Sequence, residues 1–74
     1  MEYRIVGKNN CIYCHRARSF LEIKGHTYKY EMIEEDITME ELLKIAPNAK
    51  TFPQIWKGDS YIGGYTELVD SYDG

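Results

Sequence analysis

The chain has 74 residues, 43% apolar and 28% charged, which is the make-up of one small folded domain spanning residues 1–74. Its net charge of −3 argues against a nucleic-acid footprint, and no apolar run is long enough for a membrane-spanning helix. A disulfide between its two cysteines, only three positions apart, would close too short a loop to staple a marginal core, so the thiols read as reactive rather than structural. The polar start Met1-Glu2-Tyr3-Arg4 is not a signal peptide. A cytoplasmic location is therefore expected, where disulfides are transient and usually catalytic.

Residues 3–6 form a short apolar strand, expected at the centre of a sheet, and residues 7–10 a polar turn. Lys8-Asn9-Asn10 then leads into Cys11-Ile12-Tyr13-Cys14. A helix starts within residues 11–14 and runs to Lys24, with Cys14, Ala17, Phe20 and Leu21 as its buried stripe and Gly25 as its stop. A strand thus delivers two cysteines to a helix N-terminus, where free N–H groups and the helix dipole stabilise a thiolate. In a βαβ setting, this C-x-x-C spacing reads as a thioredoxin-like redox motif. Lys8, Arg16 and Arg18 add a positive local field, although acids concentrate in residues 31–41.

Residues 27–32 alternate, with Tyr28, Tyr30 and Met32 on one face, which predicts a half-buried strand. The helical link to the first strand makes the two parallel, with a right-handed crossover. Thr38 and Glu41 form a capping box for a second helix, with Met39, Leu42, Leu43 and Ala46 as its apolar stripe and Pro47 as its end. After a loop, residues 52–56 and 60–62 read as strands joined by a turn at Gly58-Asp59. Gly63-Gly64 breaks the pattern before a last helix over about residues 66–72. The order β-α-β-α-β-β-α predicts an α/β, thioredoxin-like fold: a four-stranded mixed sheet flanked by three helices on both faces.

Three separated segments carry a more specific resemblance. Cys11-Ile12-Tyr13-Cys14, Thr51-Phe52-Pro53-Gln54-Ile55 and Gly63-Gly64-Tyr65-Thr66-Glu67-Leu68 resemble the C-P-Y-C, T-V-P-Q-I and G-G-Y-[TD]-[DE]-L patterns of glutaredoxins, in the same order. Ile12 departs from the usual proline, and the last helix is shorter than is common in that family.

Cys11, the more N-terminal thiol at the helix start, is the expected nucleophile, and Cys14, one turn deeper, the resolving thiol as well as a core residue. Tyr13, between them, is expected at a substrate groove. The resemblance implies that Lys8 meets a glutathione carboxylate or the thiolate. It also implies a cis peptide between Phe52 and Pro53, which would turn the Phe52 N–H and C=O toward the cysteine of an extended tripeptide, with Thr51 alongside. Gly63 and Gly64 would let backbone approach the γ-glutamyl carboxylate at a helix N-terminus, with Thr66 as both N-cap and ligand donor. Glu67 would meet the glutamyl ammonium, with Tyr65 beside it. Each position has a plain structural alternative: a solvated Lys8, a strand-start Pro53, a simple glycine turn, and a Glu67 that only complements the helix dipole. Arg16 and Arg18 read as a solvated helix face, His15 and His26 as surface or partly packed residues. Phe20, Tyr28, Tyr30 and Trp56 read as core or sheet-surface residues without a function.

What the resemblance implies is a dithiol glutaredoxin: an oxidoreductase with glutathione as co-substrate and no bound metal, acting as a monomer on disulfide-containing proteins, ribonucleotide reductase among the possible clients. A glutathione-ligated 2Fe-2S cluster bridging two monomers through Cys11 is an alternative that Ile12 keeps open, and a thioredoxin-type reductant served by a reductase is another. The C-x-x-C-H match through His15 to a c-type haem site leaves the other two segments unexplained, and two cysteines are too few for a structural zinc site. A pure binding module would have no need of two intact cysteines.

Overall fold

Alternation along the first strand puts Ile5 and Val6 on opposite faces, and both are completely buried, so this strand must be covered on both sides. In the computed structural model, which describes residues 2–72, it is β1 (Tyr3–Gly7) and lies inside a four-stranded sheet of order β2-β1-β3-β4. β2 (Tyr28–Met32) runs parallel to β1, with Tyr30 opposite Ile5. On the other side β3 (Gln54–Lys57) is antiparallel to β1 and pairs in turn with antiparallel β4 (Ser60–Gly63).

Each face has its own core. On one, Ile5, Tyr3 and Ile55 pack with Ala17 and Leu21 of α1 (Ile12–Ile23) and Leu68 of α3 (Tyr65–Ser71). On the other, Val6 and Trp56 pack with Ile37 and with Leu42 and Ala46 from α2 (Met39–Ile45) and its C-cap. The expected architecture is therefore present, including the capping box: Thr38 Oγ1 accepts from the Glu41 N–H at 3.1 Å, and Glu41 Oε1 accepts from the Thr38 N–H at 2.9 Å.

Several details differ from the sequence-based expectation. Leu43 is 40% exposed, because a two-turn helix docked through Leu42 and Ala46 carries position 43 away from the sheet. β3 begins at Gln54 rather than Phe52, since Pro53 has no N–H for the ladder; the Phe52–Pro53 bond is cis. β1 and β4 each extend one residue further, to Gly7 and Gly63. Finally, α3 starts at Tyr65 and its N-cap is Gly64, not Thr66. Glu67 Oε1 accepts from the Gly64 N–H at 2.7 Å, which fixes the helix start two residues early and leaves Thr66 inside the first turn.

Candidate active site

β1 ends at Gly7, and Asn10, with a φ of +56°, turns the chain into α1. Cys11 is the N-cap of that helix, in extended conformation, and its sulfur accepts from the Cys14 N–H at 3.2 Å. A thiolate here thus has a ready backbone donor. On its other side, Cys11 Sγ lies 3.8 Å from the Phe52 carbonyl, a residue 41 positions away, just before the cis proline. Cys11 is partly exposed and Cys14 is 1% exposed, and both thiols are free. The neighbouring Ile12, in the place of the family's proline, is 59% exposed.

A groove of about 190 Å³ runs past Phe52, whose carbonyl Cys11 Sγ approaches; Cys11 itself does not line it. Tyr13 forms one wall, Thr51, Phe52 and cis-Pro53 the second, and Gly64, Tyr65, Thr66 and Glu67 at the start of α3 the third. Tyr13 is half exposed, its ring 5.9 Å from that of Tyr65. Lys8 does not line the groove but stands at its rim, Nζ 5.9 Å from the Phe52 ring centre. Gly63 lies just outside with a φ of +123°, and a Cβ there would come within 3.0 Å of the Glu67 side chain. The structure therefore brings the three motif segments together around one groove, with Cys11 against its Phe52 wall, Lys8 at the edge and Gly63 behind. Two expected roles are modified: Thr66 faces the groove without being the N-cap, and one Glu67 oxygen is already engaged by Gly64.

Burial, first, and the neighbouring Cys11 side chain push the Cys14 thiol up to about 11. The Lys8 backbone N–H and the Tyr30 hydroxyl pull in the opposite direction. Tyr30 is itself raised above the ordinary phenol range, by burial and then by Cys14.

Sequence reasoning gave Gln54 and Tyr61 no function. Gln54, 3% exposed, donates from Nε2 to the Thr51 carbonyl at 2.6 Å and accepts from the Tyr61 hydroxyl. This side chain ties the loop before cis-Pro53 to the sheet. A polar residue on the core face of a strand, two before Trp56, was the available signal.

The glutaredoxin family model matches residues 4–62. The chain belongs to the glutaredoxin family. It is 34% identical to glutaredoxin 1 of Escherichia coli K12, over 93% of this chain and 89% of that one. It is 39% identical to the glutaredoxin of Haemophilus influenzae, over 86% of this chain and 82% of that one. The reduced E. coli glutaredoxin structure superposes with a TM-score of 0.80 at 35% identity, covering 95% and 91% of the two chains. A buckwheat glutaredoxin, determined as its glutathione complex, shares the fold at a TM-score of 0.78 and 22% identity, over 92% of this chain and 64% of that one. As a glutaredoxin, the protein is a glutathione-dependent thiol–disulfide oxidoreductase. Among the described residues, no group of three or more His, Cys, Asp or Glu is arranged to hold a metal ion, and no helix is long and apolar enough to cross a membrane.

Proposed function

We propose that Cys11 is the nucleophile, Cys14 the resolving thiol, and the groove past Phe52 the seat of glutathione. The Cys11 thiolate attacks a protein–glutathione or protein disulfide, forms a mixed disulfide and releases the first thiol. Cys14 then attacks the Cys11 sulfur and releases the second, or an incoming glutathione does so in its place. In the mixed disulfide, Cys11 can no longer be a thiolate that holds the Cys14 proton. Two of the influences that raise Cys14 are then gone, and the resolving thiol loses its proton more easily when it is needed. The observation that carries this reading is the convergence of Tyr13, the Thr51–Pro53 loop and the start of α3 on one groove, whose Phe52 wall Cys11 Sγ approaches at 3.8 Å. A glutathione in it would run alongside Phe52, with its γ-glutamyl end toward Gly64, Tyr65, Thr66 and Glu67 and Lys8 near its glycyl carboxylate. Tyr13 would close the remaining side.

Glutathione as co-substrate follows from family membership. Disulfide-bearing proteins as clients, ribonucleotide reductase among them, are proposed on the family resemblance and the presence of two thiols. We place the protein in the cytoplasm as a monomer in which residues 1–74 form one domain.

The test is glutathione-coupled reduction of a small mixed disulfide, with glutathione reductase and NADPH as readout. Wild type should be active, Cys11→Ser inactive, and Cys14→Ser substantially active. A Cys11→Ser variant that keeps its activity would overturn the nucleophile assignment. A wild type inactive here, but active with thioredoxin reductase, would remove the glutathione groove.

A further inference from the structure

β3 buries a polar side chain, Gln54, at 3% exposure on the sheet face that carries Val6 and Trp56. The Thr51 carbonyl can only accept, so the amide must turn its Nε2 toward it, and that bond is 2.6 Å long. Gln54 Oε1, an acceptor, then points the other way, and the Tyr61 hydroxyl donates to it at 2.5 Å. Tyr61 stands on the edge strand β4 directly opposite Trp56, its ring 5.5 Å from the indole and edge-on to it. Arg4, opposite Trp56 on β1, brings its guanidinium 5.5 Å from the same indole. A row of paired residues across three strands thus holds the phenol ring while its hydroxyl reaches the amide. Tyr61 is 54% exposed and lies outside the groove that Thr51 and Phe52 line.

We propose that Tyr61 is a positioning residue for glutathione: from outside the groove its hydroxyl fixes the direction of the Gln54 amide, which in turn holds the Thr51 carbonyl and the wall formed by Thr51, Phe52 and Pro53. This deepens the reading of that groove as the seat of glutathione and rests on it. Without the hydroxyl, Gln54 Oε1 is a buried acceptor with no partner, an unfavourable state that the amide can leave in two ways. Turned over, it sets Oε1 against the Thr51 carbonyl, two acceptors face to face. Swung toward water, it leaves that carbonyl without its donor. Either movement frees the chain at the residue before Phe52, whose carbonyl Cys11 Sγ approaches at 3.8 Å. A tripeptide lying along Phe52 depends on that backbone, because main-chain hydrogen bonds weaken steeply once misaligned. Burial, and then the charge of Glu67, holds the Tyr61 phenol above its ordinary range, so the hydroxyl keeps its proton and remains a donor.

The test is steady-state reduction of a small mixed disulfide by the full chain at varied glutathione, with glutathione reductase and NADPH as readout. Tyr61→Phe keeps the ring against Trp56 and removes only the donor. It should raise the apparent KM for glutathione roughly three- to tenfold, as expected for one lost hydrogen bond to a buried amide, with kcat near the wild-type value. Gln54→Met, similar in shape but without the amide, should raise KM at least as much. Adding Tyr61→Phe to Gln54→Met should change KM no further, because the hydroxyl acts only through the amide. A Tyr61→Phe protein with a lowered thermal midpoint and an unchanged KM would mark the hydroxyl as structural only and overturn the proposal. Equal KM increases from Tyr61→Phe with and without the amide would overturn it as well, since the effect would then bypass Gln54. Thr66→Phe separates these results from a misplaced groove, because it fills the groove from the α3 side and should raise KM whatever Tyr61 does. If Thr66→Phe leaves KM at the wild-type value, glutathione lies elsewhere, and the groove assignment falls together with the Tyr61 proposal.

Discussion

Replacing Cys14 with alanine should flatten the alkaline side of the protein's stability curve. The native Cys14 thiol is raised from 9.0 to about 11, with burial as the largest cause. The folded state therefore holds this proton more tightly than the unfolded chain does. The stabilisation is complete below pH 9, where both states are protonated, and is lost as pH rises through 11, where both are ionised. A gap of about two pH units corresponds to roughly 2–3 kcal/mol. At 1% exposure the side chain has little water to screen that effect. Urea unfolding under reducing conditions, at steps from pH 7 to pH 11, gives the measurement. Wild type should lose roughly 2–3 kcal/mol more than Cys14→Ala over that range. The seven tyrosines are common to both chains, so the difference curve reports the thiol together with the part of the Tyr30 shift that Cys14 causes. Two curves that run parallel would refute the reasoning. A Cys11→Ser protein should show a smaller alkaline loss than wild type, because part of the Cys14 shift comes from its partner.

Gln54→Leu removes the tie between Thr51 and Tyr61 and should cost about 1–3 kcal/mol in chemical denaturation, while raising the apparent KM for glutathione through the displaced loop. A lower stability with an unchanged KM would separate the tie from the groove. Thr38→Ala breaks the capping box of α2 and should cost about 1 kcal/mol with kcat/KM unaltered, since α2 lies on the sheet face away from α1. Gly63→Ala forces a side chain onto a backbone with φ of +123° and against Glu67, and should cost about 1–3 kcal/mol and weaken glutathione saturation. A thermal midpoint and glutathione KM equal to wild type would contradict it.

Much of this arrangement is legible in the chain because local rules and long-range packing agree. The alternation in β2, the Thr38–Glu41 box and the Gly25 stop each specify one conformation, and the structure has all three. The three motif segments foretell the groove because each carries an unusual backbone requirement: a thiol at a helix cap, an X-Pro turn and a glycine pair. What is not legible depends on side chains meeting across strands. Tyr30 reads as an ordinary half-buried tyrosine until β1 and β2 are in register and the missing Gly7 side chain gives its hydroxyl a destination. Gln54 likewise looks like a misplaced polar residue until Thr51 and Tyr61 arrive on either side. The start of α3 moved for a similar reason, because Glu67 reaches back to Gly64, and competing capping signals two residues apart cannot be ranked from sequence spacing alone.

The division of the interior into two cores has a practical use. Leu42, Ala46 and Trp56 anchor α2 to one sheet face, while the helix whose first turn holds both thiols is packed on the other, and the exposed Leu43 and Ile45 look outward. A fluorophore or affinity label fixed to α2 would therefore have the full thickness of the sheet between it and the thiols. Such a handle would let a surface-immobilised or optically reporting version of the protein be built with its chemistry facing the solution.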